Sequence, residues 1–141
     1  KENVSMQTIR EWLANNPEKA QALKNQNPSY VFFKQLDEDG PVGGSGLTLT
    51  PGRSLAVDYT LIPYHAPVFI DFDHPLKKQA RISRLMVSQD TGGAIRGPVR
   101  GDVFWGHGER AEDVAGQMKS NGKSWILLPN TVILPPEILK Q

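Results

Sequence analysis

Three aspartates stand at the borders of short apolar runs, where a carboxylate can project into a cleft while a sheet holds its backbone. Asp58 and Asp90 each come after such a run, and Asp102 directly precedes the run Val103–Trp105. Carboxylates held within a few ångströms of one another cannot all ionise cheaply, so we expect at least one of them to have a raised pKa. A raised pKa provides a proton donor at neutral pH, which cleavage of a glycosidic bond requires.

A glycine-containing turn follows Asp90. The segment Thr91–Gly93 allows a tight turn with exposed amides, because glycine tolerates positive φ and lets a ligand approach the main chain. Arg96 and Arg100 follow before Asp102, and they either stabilise the carboxylates or bind an anionic group of a substrate. An aspartate beside a glycine is, by itself, most often a turn former. The functional interpretation therefore depends on the whole string and not on one residue.

Helical patterns are confined to three segments. Ser5 is predicted to cap a first helix, Pro17 to open a short second helix, and Glu109–Lys119 to form a third. The glycine-rich stretch 37–46 is predicted to be a loop. The β-rich runs are Tyr30–Phe33, Leu55–Val57, Val68–Phe72, Leu85–Ser88, Val103–Trp105 and Trp125–Leu128.

Many short strands separated by turns favour a small closed β-barrel, because closure removes exposed strand edges. The 13 glycines and 11 prolines support this turn-rich, mainly β interpretation. We expect residues 1–28 to be a helical segment that packs on the barrel, residues 29–129 to form the barrel domain, and residues 130–141 to be a tail.

Composition excludes several classes of function. A chain of 141 residues can bury one sizeable core. Its 16 lysines and arginines are balanced by 15 acidic residues, which argues against a dedicated nucleic-acid or polybasic membrane surface. The absence of cysteine excludes disulfides, thiolate catalysis and cysteine-based zinc sites. No stretch approaches the roughly 20 apolar residues that cross a bilayer.

Aromatic residues are candidates for stacking against sugars, although in a small barrel they are more often part of the core. The candidates are Tyr30, Tyr64, Trp105 and Trp125, of which Trp105 is the best. We expect no metal and no cofactor, because the histidines show no metal-ligand spacing. These histidines are His65, His74 and His107.

The string DTGGAIRG at 90–97, followed by GDVFWG at 101–106, resembles the 3D domain, which is named for three aspartates. More closely, the chain resembles the C-terminal part of the membrane-bound lytic murein transglycosylase A (MltA) family. The resemblance extends from about residue 5 to about residue 129. Its further segments are 5–10, 26–34, 49–58, 62–63 and 125–129.

The resemblance implies a closed, six-stranded double-psi β-barrel with short flanking helices. It also implies an enzyme that cleaves the β-1,4 bond between N-acetylmuramic acid and N-acetylglucosamine and leaves a 1,6-anhydromuramoyl end. Asp102 would be the catalytic acid and base, with Asp58 and Asp90 supporting it. The expected substrate-binding residues are Gln89, Thr91, Gly92, Gly93, Arg96 and Trp105.

The resemblance also implies partners and a location. The substrate would be the glycan strands of peptidoglycan, with no role for nucleic acid. Members of the family have an N-terminal portion with an inserted β domain, and we expect this chain to need that portion, in the same protein or as a separate chain. The setting would be the periplasmic face of the outer membrane, reached through an N-terminal lipid anchor. The alternatives are a non-catalytic glycan-binding module and a structural barrel that recruits other proteins.

Overall fold

The computed structural model of the protein describes residues 4–37 and 39–133. The chain divides into two compact units, with the boundary between Leu36 and Asp37. Most of the tail predicted at 130–141 lies outside the described residues, since the description ends at residue 133.

The first unit contains two helices, α1 (Met6–Asn15) and α2 (Pro17–Lys24). Ser5 caps α1 as predicted: its side chain accepts a hydrogen bond from the Thr8 amide, and the Thr8 hydroxyl accepts one from the Ser5 amide. Pro17 occupies the first turn of α2, where its missing N–H leaves no bond unmade. Both predicted helix starts are therefore confirmed.

The β-rich run 30–33 is not a strand. Its residues are exposed, and no strand pairs with them among the described residues. A strand needs a neighbour for its backbone N–H and C=O groups, and high β propensity alone does not provide one.

The second unit is built on one mixed sheet with the strand order β4-β1-β3-β2-β5. β1 runs parallel to β3, and the other neighbouring pairs are antiparallel. The elements are β1 (Ser54–Val57), β2 (Pro67–Asp73), β3 (Arg81–Asp90), β4 (Gly101–Val103), helix α3 (Glu109–Gln117) and β5 (Gly122–Ile126). The strands predicted in this unit and the third helix are confirmed, with ends shifted by a few residues.

The core lies on one face of this sheet. Along β2 the buried residues alternate with exposed ones, because successive side chains of a strand point to opposite faces. β1 is buried along its whole length, since it lies between β4 and β3. The buried apolar cluster consists of Leu55, Val57, Ile62, Ala66, Val68, Ile70, Phe72 and Met86.

The prediction of a closed, six-stranded barrel is wrong. The sheet has five strands, and its two edge strands, β4 and β5, do not pair with each other in the described part of the chain. Between these edges lies a cavity of about 440 Å³ lined largely by core side chains, including Leu55, Val57, Val68, Phe72 and Val103. Short strands and frequent turns are common to open and closed sheets, so this pattern could not distinguish the two.

Candidate active site

Strand β1 brings two of the three aspartates together. Ala56 is the register partner of Asp90 on β3 and of Asp102 on β4. Neighbouring strands are about 4.8 Å apart, so the backbones of the two aspartates are separated by roughly 10 Å. Leu55 and Val57 line the cavity, and Ala56 between them points to the opposite face. The two carboxylates therefore flank a methyl group on the sheet face that the cavity does not occupy.

An irregularity in the β1–β3 ladder sets this arrangement. The register passes from Leu55–Ser88 to Ala56–Asp90, so that Gln89 is an extra residue on β3. Such a bulge re-aims the side chains that follow it. Without it, Gln89 and not Asp90 would be opposite Ala56. The Gln89 side chain instead accepts a hydrogen bond from the Ser54 hydroxyl at 2.6 Å, which fixes the bulge to β1.

Asp58 directly follows β1 and is only 4% exposed. Its Oδ1 accepts bonds from the Thr60 hydroxyl (2.6 Å) and amide (3.2 Å), and its Oδ2 accepts one from the Gly97 amide at 2.9 Å. The bonds from Thr60 and Gly97, with a smaller contribution from the positive charge of Arg96, lower the pKa of Asp58 from its ordinary value. The expected rise in pKa is therefore not found at this aspartate, which anchors the loop that carries Gly97.

Asp90 is half-buried beneath the glycine-rich loop, and its Oδ1 accepts a hydrogen bond from the Gly44 amide at 2.9 Å. The preceding residue, Gly43, lies so close to β3 that an added Cβ would be 2.4 Å from the Gln89 carbonyl oxygen. Only glycine allows this approach. The Thr91 hydroxyl donates to the Val57 carbonyl at 2.9 Å and ties the end of β3 to the end of β1.

Asp102 is the most accessible of the three aspartates, with its side chain 51% exposed. The Arg100 guanidinium donates to both of its carboxylate oxygens, from Nε at 3.1 Å and from Nη2 at 3.3 Å. This ion pair raises the pKa of Arg100. Asp102 is thus the aspartate that a large substrate can reach directly.

The other predicted site residues divide into two groups. Thr91, Gly92 and Gly93 follow Asp90, and the Arg96 guanidinium donates to the Gly92 carbonyl (3.4 Å) and the Ile95 carbonyl (3.0 Å) within the same loop. Trp105 is different. Its indole N–H donates to the Met118 sulfur at 3.2 Å, and its ring packs edge-on against the core residue Phe72. These contacts favour the core interpretation of Trp105 over sugar stacking.

The described residues contain neither a cluster of metal ligands nor a helix that could span a membrane. In residues 4–37 and 39–133 no three potential metal ligands among histidine, aspartate and glutamate come together. Within the same ranges, none of the helices has the length and apolar character needed to cross a bilayer.

Two family models match this chain. Residues 53–128 match the family described as the 3D domain, and residues 1–34 match the MltA specific insert domain. The chain belongs to the MltA family. The insert-domain match nearly coincides with the first compact unit, and the 3D-domain match contains all five strands and the three aspartates.

Relatives of known name support the assignment to the MltA family. The chain is 34% identical to membrane-bound lytic murein transglycosylase A of Vibrio cholerae, over 97% of this chain and 40% of that protein. It is 35% identical to the protein of that name from Escherichia coli K12, over 90% of this chain and 36% of that protein. The chain thus spans well under half the length of these MltA relatives.

Solved MltA structures share the fold. The crystal structure of MltA from Neisseria gonorrhoeae matches with a TM-score of 0.83 and 43% identity, over 92% of this chain and 33% of that chain. The structure of E. coli MltA with bound chitohexaose matches with a TM-score of 0.76 and 32% identity, over 87% of this chain and 38% of that chain.

The sequence analysis did not find two residues that shape the site. Gly44 lies in the predicted loop, but nothing in the sequence shows that its amide binds an aspartate 46 residues away. Ala56 was recognisable only as a small residue between two larger apolar ones. The sequence feature that could have identified Ala56 is its position between Leu55 and Val57, because a small side chain on a strand of larger ones leaves space on one face of the sheet.

Proposed function

We propose that this protein is a peptidoglycan lytic transglycosylase. It cleaves the β-1,4 bond between N-acetylmuramic acid and N-acetylglucosamine and forms a 1,6-anhydromuramoyl product. The observation that carries the proposal is the register of β1, which sets Asp90 and Asp102 on either side of Ala56. Membership of the MltA family supplies the reaction class.

Asp102 is the acid and base in this mechanism, since it is the aspartate most open to a polymer. Its protonated carboxyl donates a proton to the glycosidic oxygen as the bond to the anomeric carbon breaks. The muramoyl 6-hydroxyl then attacks the anomeric carbon, and its proton passes to the Asp102 carboxylate. The attacking 6-hydroxyl and the anomeric carbon belong to the same sugar, so they are already close to each other. The reaction therefore does not need the second carboxylate that acts as nucleophile or activates water in hydrolysis. The Arg100 ion pair opens when the substrate enters.

Asp58 and Asp90 act through position and charge. Asp58 accepts three hydrogen bonds and fixes the Gly97 loop, whereas Asp90 keeps its Oδ1 on the Gly44 amide. A negative charge held beside the anomeric carbon stabilises the positive charge that develops there in the transition state. Thr91, Gly92 and Arg96 line the substrate cleft next to Asp90.

The N-terminal portion of the longer relatives is a required partner in this proposal, in one polypeptide or as a separate chain. Two observations support it. The chain covers only 40% of the V. cholerae relative, and the described unit leaves an apolar cavity open between β4 and β5. The proposed location is the periplasmic face of the outer membrane, with a lipid anchor on the N-terminal portion. The name of the relatives, membrane-bound, supports attachment to a membrane.

The test is Asp102→Asn in the full-length protein. Asparagine keeps the shape of the side chain but cannot donate and recover the proton, so release of 1,6-anhydro muropeptides from sacculi falls by about 10²- to 10⁴-fold. Mass spectrometry of the products measures this. Asp113→Asn, on the exposed face of α3, is the control and keeps wild-type rates.

Wild-type rates for Asp102→Asn contradict the assigned role. If the wild-type protein binds glycan but releases no anhydro product, the non-catalytic glycan-binding module is correct instead.

A further inference from the structure

A pair of stacked tyrosines lies beside the aspartates. The rings of Tyr59 and Tyr64 are 5.9 Å apart between centroids and inclined by only 19°, which is an offset-stacked arrangement. Tyr59 is 51% exposed, so one side of the stack faces solvent. The exposed part of the Tyr59 ring is therefore an apolar surface that no described residue covers.

The pair is held in place by the site itself. Tyr59 directly follows Asp58, in a turn whose Leu61 and Ile62 amides donate to the Asp58 carbonyl at 3.0 and 2.9 Å. The same turn is fixed by the bonds from Thr60 to the Asp58 carboxylate. Tyr59 is therefore presented by a rigid turn, and little conformational freedom is lost when a ligand contacts it.

Tyr64 connects the stack to the second aspartate. Its hydroxyl lies so close to Gly44 that a Cβ at that glycine would be 2.5 Å from it. The Gly44 amide is the group that binds Asp90 at 2.9 Å. The stacked pair thus borders Asp58 on one side and, through Gly44, Asp90 on the other.

We infer that Tyr59 and Tyr64 form a platform for one pyranose ring of the glycan, next to the sugar that is cleaved. A pyranose ring has an apolar face of C–H groups that packs on an aromatic ring, while its hydroxyls remain at the edge for water and polar side chains. The inference rests on the proposed function and adds to it a residue that determines binding without taking part in the proton transfer.

Binding of chitohexaose to the full-length Asp102→Asn protein tests the platform, because cleavage is blocked in this background. We expect Tyr59→Ala to raise the Kd, measured by calorimetry, by about fivefold, and Tyr59→Phe to leave it unchanged, since the ring face is retained. Leu76→Ala, which removes a comparably exposed apolar side chain in the β2–β3 connection, leaves the Kd unchanged. In the active protein, Tyr59→Ala raises KM on sacculi and leaves kcat nearly unaltered.

An unchanged Kd for Tyr59→Ala, with an unfolding midpoint equal to that of its parent, overturns the platform. A parent protein that does not bind chitohexaose also overturns it. Neither result bears on the proposed function, which is tested separately by the release of anhydro product from the wild-type protein and from Asp102→Asn.

Discussion

Two chemically identical side chains differ in this site through their surroundings. Asp58 is buried and receives three hydrogen bonds, whereas Asp102 is half-exposed and contacts only the Arg100 guanidinium among the contacts described. A buried carboxylate that accepts three hydrogen bonds is a good anchor for a loop. A carboxylate at the surface can be reached by a large ligand. In the proposed mechanism, these different surroundings assign positioning to Asp58 and proton transfer to Asp102.

Asp58→Asn tests this separation through stability. The amide has one acceptor oxygen, so it cannot serve both Thr60 and the Gly97 N–H, and the urea midpoint of unfolding at pH 7 decreases. Because the pKa of Asp58 is lowered in the folded protein, its contribution is complete above the ordinary value of 3.8 and is lost as the pH falls through the lower folded value. The difference between wild type and variant therefore shrinks below about pH 4.

The control for this comparison is Asp113→Asn on the exposed face of α3, whose unfolding midpoint at pH 7 equals that of the wild type. A midpoint difference for Asp58→Asn that is the same at pH 3 and pH 7 would show that the carboxylate charge contributes nothing.

At the residue scale, the sequence was sufficient to propose three aspartates as the site but not to predict how each is held. The three aspartates were evident from their positions beside apolar runs. Their partners were not, because the Gly97 amide is 39 residues from Asp58 and the Gly44 amide is 46 residues from Asp90. Hydrogen bonds between distant segments follow from the packed fold and leave no local pattern.

At the scale of elements, the glycine-rich loop before β1 is a structural part of the site. The Ser45 amide holds the loop to β3 by donating to the Gln89 carbonyl at 3.1 Å. The Gly44 amide of the same loop donates to the Asp90 carboxylate. The sequence predicted a loop at 37–46 from its glycines. It could not predict that the loop lies against β3, since loop composition specifies flexibility of the backbone and not a contact surface.

Gly43→Ala tests the position of this loop. The added methyl group would be 2.4 Å from the Gln89 carbonyl oxygen and 2.6 Å from Leu49, so the loop must move away from β3 and Gly44 must release Asp90. We expect at least a tenfold loss of anhydro-product release by the full-length protein, on the scale of one lost electrostatic contact in an active site.

The matched control is Gly116→Ala in the exposed part of α3, which keeps full activity and stabilises the helix by up to about 1 kcal/mol. Equal activities for the two variants would show that the loop contact is not needed.

Strand positions in the second unit were predictable because each apolar run is short and bounded by turn residues. The run 30–33 has equally high β propensity and remained a coil. The difference is that a strand exists only when a neighbour accepts its backbone bonds, and that neighbour is not encoded in the run itself.

At the scale of the whole molecule, the open sheet has two edges that are unpaired within residues 4–37 and 39–133, with an apolar cavity between them. Val99, which lines the cavity, is 92% exposed. Strand lengths and turns could not reveal the open sheet, because closure depends on whether the two edges meet. That property belongs to the complete set of strands and not to any one of them.

The proposed need for the N-terminal portion makes a direct prediction. The 141-residue chain alone releases anhydro product from sacculi at less than about one hundredth of the rate of the full-length protein, because substrate positioning is incomplete. Addition of the N-terminal portion as a separate polypeptide restores activity in a concentration-dependent manner. Activity of the chain alone equal to that of the full-length protein would contradict the requirement.

The parallel pairing of β1 has a consequence for the order in which the molecule assembles. β2 and β3 form a hairpin from neighbouring segments, but Ser54 of β1 pairs with Val87 and Leu55 with Val103, both far along the chain. Contacts that close long loops form late, because their entropic cost is recovered only when much of the structure exists. We therefore expect β1, although it is buried between β4 and β3, to pair with its neighbours only after the β2–β3 hairpin has formed, so the arrangement of Asp90 and Asp102 around Ala56 is completed late in folding.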